Sequence, residues 1–231
     1  MILSLLGLAV APGIAVALYV YFRDRYEKEP LALLVTVFIG GFFFVVPAAL
    51  IEMSLDHFWL LNDSVFHTAI KNFLCVGFTE EFLKFICLYI LAYPKKDFNE
   101  PFDGITYAVM VSMGFATSEN IVYVMNGGMP IAIVRIFTAV PAHASFAVLM
   151  GYFVGLAKFN NHKKSHLVLG IMTATLFHGS YDFFLSIENI EFLALGALAS
   201  LVIGLGLSFK AMKSLSENSP FRYSALRRKP I

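Results

Sequence analysis

Charge is scarce in this chain. Only 14% of its 231 residues are Asp, Glu, Lys or Arg, against about 25% in an average soluble domain. Hydrophobic residues make up 58%, and Phe alone occurs 24 times. That balance excludes an ordinary soluble domain and indicates an integral membrane protein. The net charge of +1 gives no electrostatic case for nucleic-acid binding. The only two cysteines, Cys75 and Cys87, fall in one apolar stretch. Twelve residues on a helix span about 18 Å, so they cannot pair there and read as reduced packing residues. Repeats, low-complexity linkers and a soluble second domain are all lacking, which predicts one domain over 1–231. No basic residue precedes the first apolar run; its charges follow it, in "RDRYEKEP" (23–30). A cleavable signal peptide wants the opposite order, so this run is expected to be a retained first helix.

What is present is a series of apolar runs, each near the roughly 20 residues that cross a bilayer. Seven are predicted, over 2–22, 31–51, 66–93, 103–125, 131–157, 167–187 and 192–212. Lysine and arginine mark every second connection. Arg23, Arg25 and Lys28 lie in the first, Lys95 and Lys96 in the third, Lys158, Lys163 and Lys164 in the fifth. The tail over 213–231 holds Lys213, Arg222, Arg227, Arg228 and Lys229. The connections 52–65, 126–130 and 188–191 hold none. By the positive-inside rule the N-terminus is outside and the C-terminus cytoplasmic. The expected fold is therefore all-α and polytopic, a bundle of about seven transmembrane helices. "SLDHFWLLNDS" within 52–65 reads as an amphipathic piece on the outer face with Trp59 at the interface; an eighth short segment is the alternative there.

An ionisable side chain at mid-membrane costs at least about 2.5–3.5 kcal/mol on insertion scales. Few residues incur that cost: Glu80, Glu81 and Lys84 in the third span, Glu119 and Asn120 in the fourth, Arg135 and His143 in the fifth, His178 and Asp182 in the sixth. Lys71 and Asp103 stand near span ends, where snorkelling or helix capping accounts for them. Glu80 and Lys84 are four residues apart and share a helix face. His178 and Asp182 have the same spacing, so the carboxylate can hold the imidazole in one tautomer. Arg135 lies toward the outer end and is a candidate partner for Glu119. Pro141, two residues before His143, is expected to loosen the helix there. Counted at 1.5 Å per residue, the set fits a layer about 10–15 Å thick in the outer half of the membrane.

Carboxylates and imidazoles held away from bulk water support several chemistries. They can activate a water and protonate a leaving amine. They can ligate zinc, which takes nitrogen and oxygen donors and keeps one position open. They can relay protons or bind an ion in a transporter. For any one residue, a charge pair that merely locks the bundle is the simpler account; a whole set at one depth favours a site.

The motifs also carry a family resemblance. "EEFLK" (80–84), "FATSEN" (115–120) with Tyr123, "PAHASFAVLMGYFVG" (141–155) and "HGSYDF" (178–183) stand in order, with "RDRYEKEP" and "FDGITYA" (102–108) around them. Together, from residue 23 to about 184, they resemble the PrsW family of bacterial intramembrane proteases, relatives of the CAAX prenyl proteases. The resemblance implies a multi-pass cell-membrane peptidase that makes the first cut in a single-span anti-sigma factor on the extracytoplasmic side, leading to sigma-factor release. It implies Glu80, Glu81 and His178 as the catalytic core, with Glu119, His143 and Asp182 joining them and Lys84 and Asn120 in support. The expected mechanism is a metal-independent glutamic one. Glu80, or the Glu80/Glu81 pair, is the base, and His178, oriented by Asp182, is the acid or oxyanion donor. There is no HExxH; if zinc takes part, Glu80, Glu119, His143 and His178 are its expected ligands. A transporter bundle, or a non-catalytic scaffold or immunity protein on the same fold, remains the alternative. The 52–65 connection and the tail carry no family signature.

Overall fold

The structure, a computed structural model, describes residues 2–59, 64–161, 163–187 and 194–222. Among the described residues all regular structure is helical. The chain runs α1 (Ile2–Arg23), α2 (Leu31–Trp59), α3 (Val65–Ile70), a π-helical segment (Lys71–Phe78), α4 (Thr79–Leu91), α5 (Pro101–Phe137), α6 (Ala139–Phe159), α7 (Lys163–Ser186) and α8 (Ala194–Glu217). By length and apolarity, Ile2–Arg23, Leu31–Asp56, Pro101–Phe159 and Leu195–Glu217 can each cross a membrane. The stretches expected at 66–93 and 167–187 are helical too, but they carry the polar side chains of the site described below. Large apolar side chains such as Leu3, Val35, Phe43 and Leu198 stand exposed on α1, α2 and α8, as lipid-facing surfaces require. The protein is an all-α, multi-pass membrane protein. Glu188, Glu191 and the basic residues Arg227, Arg228 and Lys229 lie outside the described residues, as does the side chain of Trp59.

The helix ends follow from local sequence. Ser64 caps α3, its hydroxyl accepting the His67 amide at 3.3 Å. At the start of α5, the Asp103 carboxylate accepts the amides of Asn99 and Glu100 at 2.7 and 2.8 Å. The Glu100 side chain returns a bond to the Asp103 amide, and Pro101 occupies the first helical position. Together these make a capping box.

Two predicted boundaries change. α2 continues to Trp59, eight residues past the expected end, because "EMSLDHFW" keeps helix-forming residues and has no glycine or proline to stop it. The predicted span 131–157 is also two pieces. At Gly128 the backbone takes φ +68°, a conformation open to glycine at little cost, and the chain turns back on itself. Arg135 Nε consequently donates to Asn120 Oδ1 at 2.5 Å, where fifteen residues along a straight helix would separate them by about 22 Å. A second break at Thr138 (φ −123°, ψ −77°) precedes α6. Pro141 therefore falls in the first turn of α6, where a missing amide costs nothing; it does not loosen a helix interior as expected.

α5 is the centre of the bundle. Every residue from Phe102 to Thr117 is buried, so this stretch is enclosed on all sides, by α1, α2 and α6. Glycine makes the closest of these approaches. A Cβ on Gly104 would lie 2.4 Å from the Gly151 carbonyl oxygen and 2.5 Å from the Gly155 amide nitrogen, so "GYFVG" of α6 works as a small-xxx-small contact face against α5.

Candidate active site

The polar cluster is assembled around one tight helix contact. The π-helical segment Lys71–Phe78 runs straight into α4. Wide i→i+5 turns of this kind are rare and concentrate at functional sites. At its end, Gly77 meets Gly179 of α7, where a Cβ would stand 3.1 Å from the Gly179 amide nitrogen. A side chain at either position would push the two helices apart. The flanking residues Glu80, Glu81 and His178 are thereby brought face to face, although some hundred positions separate the two motifs in sequence.

Lys84 sits at the centre. Its ammonium nitrogen is 2.9 Å from Glu80 Oε2, 2.8 Å from Glu81 Oε1 and 3.1 Å from His143 Nδ1. It also lies 4.3 Å above the Phe115 ring, a favourable cation–π position. The sequence predicts a Glu80–Lys84 pair; in the structure Lys84 binds both glutamates. His178 is clamped on both sides, with Nδ1 2.9 Å from Glu81 Oε1 and Nε2 3.1 Å from Asp182 Oδ2. Its Nε2 is also 3.8 Å from Glu80 Oε2, and Phe146 stacks on the ring at 5.2 Å. His143 packs edge-on against His178 with ring centroids 5.2 Å apart.

Glu119 closes the other side. Its Oε2 is 2.8 Å from His143 Nε2 and 3.6 Å from Arg135 Nη2. Arg135 in turn lies 4.2 Å over Tyr123. Asn120 faces away from the cluster: its amide donates to the Ala9 carbonyl and its oxygen accepts Arg135, so it ties α1 and the returning segment to α5. Glu80, Glu81, Lys84, His143 and His178 are all buried, none more than 6% exposed. Charges this deep are tolerated only where partners satisfy them, and each of these has one.

A cavity of about 500 Å³ reaches the cluster, lined by Glu80, Glu119, His143, His178 and Asp182 together with Tyr123, Phe146 and Tyr181. Glu81 and Lys84 do not line it; they lie behind the residues that do. Glu52 also opens on this cavity, with a buried Oε1 that makes no hydrogen bond. The sequence prediction stopped the second span at residue 51 and so missed it. The available signal was the Glu52/Asp56 spacing of four on one helix face, and Asp56 pairs with Lys71 at 3.0 Å. Lys71 is thus held by an acid as well as by its position at a span end.

The donor set has the chemistry of a metal site. Glu80, Glu81, His143 and His178 each offer one atom, and these atoms lie within 4.8 Å of one another. Glu81 Oε2 is also buried with no hydrogen-bond partner. Oxygen and nitrogen donors suit zinc, so the residues fit the ion. Membership differs from the sequence expectation: Glu81 belongs to the set and Glu119 does not; Glu119 Oε2 instead lies against the outer nitrogen of His143, as Asp182 lies against that of His178. Carboxylates behind ligating histidines fix the ring and its tautomer. An ion entering the set would take over the contacts Lys84 now makes to three of its four members.

Comparison with known proteins agrees with this geometry. Residues 29–208 match the family described as "PrsW family intramembrane metalloprotease". The chain is 42% identical over 185 residues to Protease PrsW of Shouchella clausii, covering 79% of this chain and 84% of that protein. It is 38% identical over 185 residues to Protease PrsW of Bacillus subtilis, covering 79% and 83%. To Protease PrsW of Clostridioides difficile it is 34% identical over 193 residues, covering 80% and 81%. No solved structure matches the chain. On its matched length and its relatives, the chain belongs to the PrsW family of intramembrane proteases, multi-pass membrane enzymes that cut protein substrates.

Proposed function

We propose that this protease hydrolyses a peptide bond of a single-span membrane protein at the cavity between α4, α5, α6 and α7, by a glutamic mechanism. The observation that carries the proposal is the division of labour in the cluster. Glu80 and His178 face the cavity, while Glu81 and Lys84 hold them from behind. A water in the cavity gives a proton to Glu80 and adds to the substrate carbonyl carbon. His178, its Nδ1 beside Glu81 and its Nε2 beside Asp182 and Glu80, donates a hydrogen bond to the oxyanion of the tetrahedral intermediate and keeps its proton. The C–N bond then breaks, and the proton held by Glu80 leaves with the amine. Lys84 provides a fixed positive charge against which Glu80 and Glu81 stay together. Glu119 and His143 complete the polar wall. A helical substrate must unwind locally before its carbonyl is reached, since helix amides are already bonded within the bilayer.

The substrate we propose is a membrane-anchored anti-sigma factor. It would take its first cut on the extracytoplasmic side, with release of a sigma factor and a stress or antimicrobial-peptide response downstream. The alternation of basic connections supports that side, since it sets the cluster toward the outer half of the bilayer.

A second reading has one observation in its favour, the donor set. Glu80, Glu81, His143 and His178 would hold a zinc ion, and the family description names metalloproteases. Such an ion would polarise the carbonyl and acidify a bound water. The deciding experiment uses the detergent-solubilised enzyme and a single-span anti-sigma-like substrate. Cleavage is expected in wild type, to be lost in Glu80→Gln and His178→Ala, and to survive a strong chelator. Cleavage that persists in both variants refutes the site. Activity lost on chelation and restored by zinc establishes the metal reading instead.

A further inference from the structure

A second acidic cluster lies at the other end of α5. Asp103 is sixteen residues, about 24 Å along the helix, from Glu119. Its neighbours come from the connection between α1 and α2. The carboxylates of Asp24, Glu29 and Asp103 lie within 4.8 Å of one another, all three buried. Two motifs that the active site leaves unused, "RDRYEKEP" and "FDGITYA", supply them.

Lys28 attracts Asp24, and Lys158 attracts Asp103 and Glu29, but neither lysine closes an ion pair with them. Among the described residues, no ion pair includes Asp24, Glu27, Glu29, Glu100 or Asp103. The two nearby lysines turn to backbone carbonyls, Lys28 to those of Tyr21 and Asp24, and Lys158 to those of Tyr93 and Lys95. Asp24 Oδ2, Glu29 Oε1 and Asp103 Oδ1 are buried and make no hydrogen bond. Buried acceptors left open in this way are rare and call for an explanation.

Two side chains outside the trio point the same way. Glu100 is 1% exposed; its carboxylate accepts the Asp103 amide and a bond from Ser219, with Oε2 making no further contact, and it lies close enough to Asp24 for the two charges to repel. Thr106 is fully buried, its hydroxyl also unpartnered, one turn beyond Asp103 on the same helix face. Tyr107 meanwhile donates its hydroxyl to Glu29 and fixes that carboxylate in place. Three buried carboxylates with open oxygens meet at one spot, with Glu100 and Thr106 nearby in sequence. A cation answers all of them together.

We propose that Asp24, Glu29 and Asp103 bind a hard divalent cation, calcium or magnesium, with Glu100 and Thr106 completing its oxygen shell. Such ions take oxygen ligands only, carboxylates foremost. The cluster holds no thiol or imidazole that would favour zinc or copper. The ion clamps the α1–α2 connection to the start of α5, the helix around which the bundle is built. It is distinct from any zinc at Glu80, Glu81, His143 and His178 and does not depend on the proposed mechanism.

The test is thermal unfolding of the full chain in detergent, stripped with chelator and then given 1 mM calcium or 1 mM magnesium. Binding to the folded state alone raises Tm. A rise of a few degrees is expected with at least one of the two ions, in wild type and equally in His178→Ala, which disrupts the other cluster. Glu29→Gln and Asp24→Asn should abolish the rise. Should those variants fail to fold, equilibrium dialysis of wild type and His178→Ala replaces them, with about one calcium or magnesium per chain expected in both. No Tm response and no retained ion in wild type would overturn the site, leaving the acids neutralised by protons. So would a response that vanishes in His178→Ala, or one that survives in Glu29→Gln.

Discussion

Glu81 Oε1 and His178 Nδ1 stand 2.9 Å apart, across the contact of Gly77 with Gly179. Glu81 is 1% exposed and does not line the cavity, so in the proposed mechanism it acts through His178 and Lys84. Asp182 holds the opposite nitrogen but is more open, its side chain 26% exposed. The two carboxylates therefore differ in weight. Glu81→Gln is expected to lower kcat by about 10²–10⁴-fold, the range of a lost acid–base function. Asp182→Asn should lower it by about 10–100-fold, the usual cost of an orienting carboxylate. KM should stay near wild type for Glu81→Gln, since Glu81 does not line the cavity. Steady-state cleavage of one reporter substrate by the two variants measures this, and a Glu81→Gln enzyme of wild-type kcat refutes the clamp.

Lys84 is the keystone for stability. Its ammonium bonds both glutamates at 2% exposure. Removing one partner of a buried ion pair leaves an uncompensated charge and costs about 3–5 kcal/mol. Lys84→Met should accordingly lower Tm far more than Glu80→Gln, which leaves Lys84 paired with Glu81. The double variant Lys84→Met/Glu81→Gln should recover part of the loss. Thermal unfolding of these three proteins and of Glu81→Gln decides it; additive losses in the Lys84/Glu81 cycle would show that the pair is not coupled.

Much of this was legible in the sequence because charge inside apolar helices is so costly. Glu80, Glu81, Glu119, His143, His178 and Asp182 stood out for that reason, and the structure brings all six together. Spacing also exposed the local pairs, Glu80 with Lys84 and His178 with Asp182, since i,i+4 is a property of one helix. Contacts between helices were not legible. That Glu81 rather than Glu119 joins the donor set depends on which way α4 and α5 rotate, and the Gly77–Gly179 approach fixes this for α4. Glu52 was hidden because α2 has no stop signal at residue 51. The reversal at Gly128 was legible only as a turn: "GGMP" announces a break, but not that Arg135 folds back onto Asn120.

The α5–α6 seam gives a test of how packing supports the site. Gly151 faces Gly104 so closely that a Cβ would stand 2.4 Å from its carbonyl oxygen. One turn further, a Cβ on Gly155 would stand 2.0 Å from the Pro101 carbonyl oxygen. Both opposing atoms are backbone and cannot rotate away. Gly151→Val must therefore separate the helices, and His143 rides on α6 two turns away. The variant should lose activity and stability together, whereas Gly206→Ala, with nothing within 4 Å, should leave both unchanged. Parallel Tm and cleavage measurements on the two variants check it.

The acids at the far end of α5 predict how stability varies with pH when divalent cations are absent. Burial first, and mutual repulsion second, push Asp24 up to about 8 and Glu29 up to about 10. Burial pushes Glu100 up to about 7. In the unfolded chain the same carboxyls release their protons near 4. Between those limits the folded state holds more protons than the unfolded state, so stability falls as pH rises. The loss begins as pH climbs past about 4. It continues to about 7 for Glu100, about 8 for Asp24 and about 10 for Glu29. At most it amounts to about 1.4 kcal/mol per pH unit for each group still protonated. Tm measured in chelator should thus decline steadily from pH 5 to pH 9, and Asp24→Asn, which cannot ionise, should flatten the slope. A Tm that rises with pH over this window would mean the acids are ionised and paired in the folded state, the opposite of the burial seen around them.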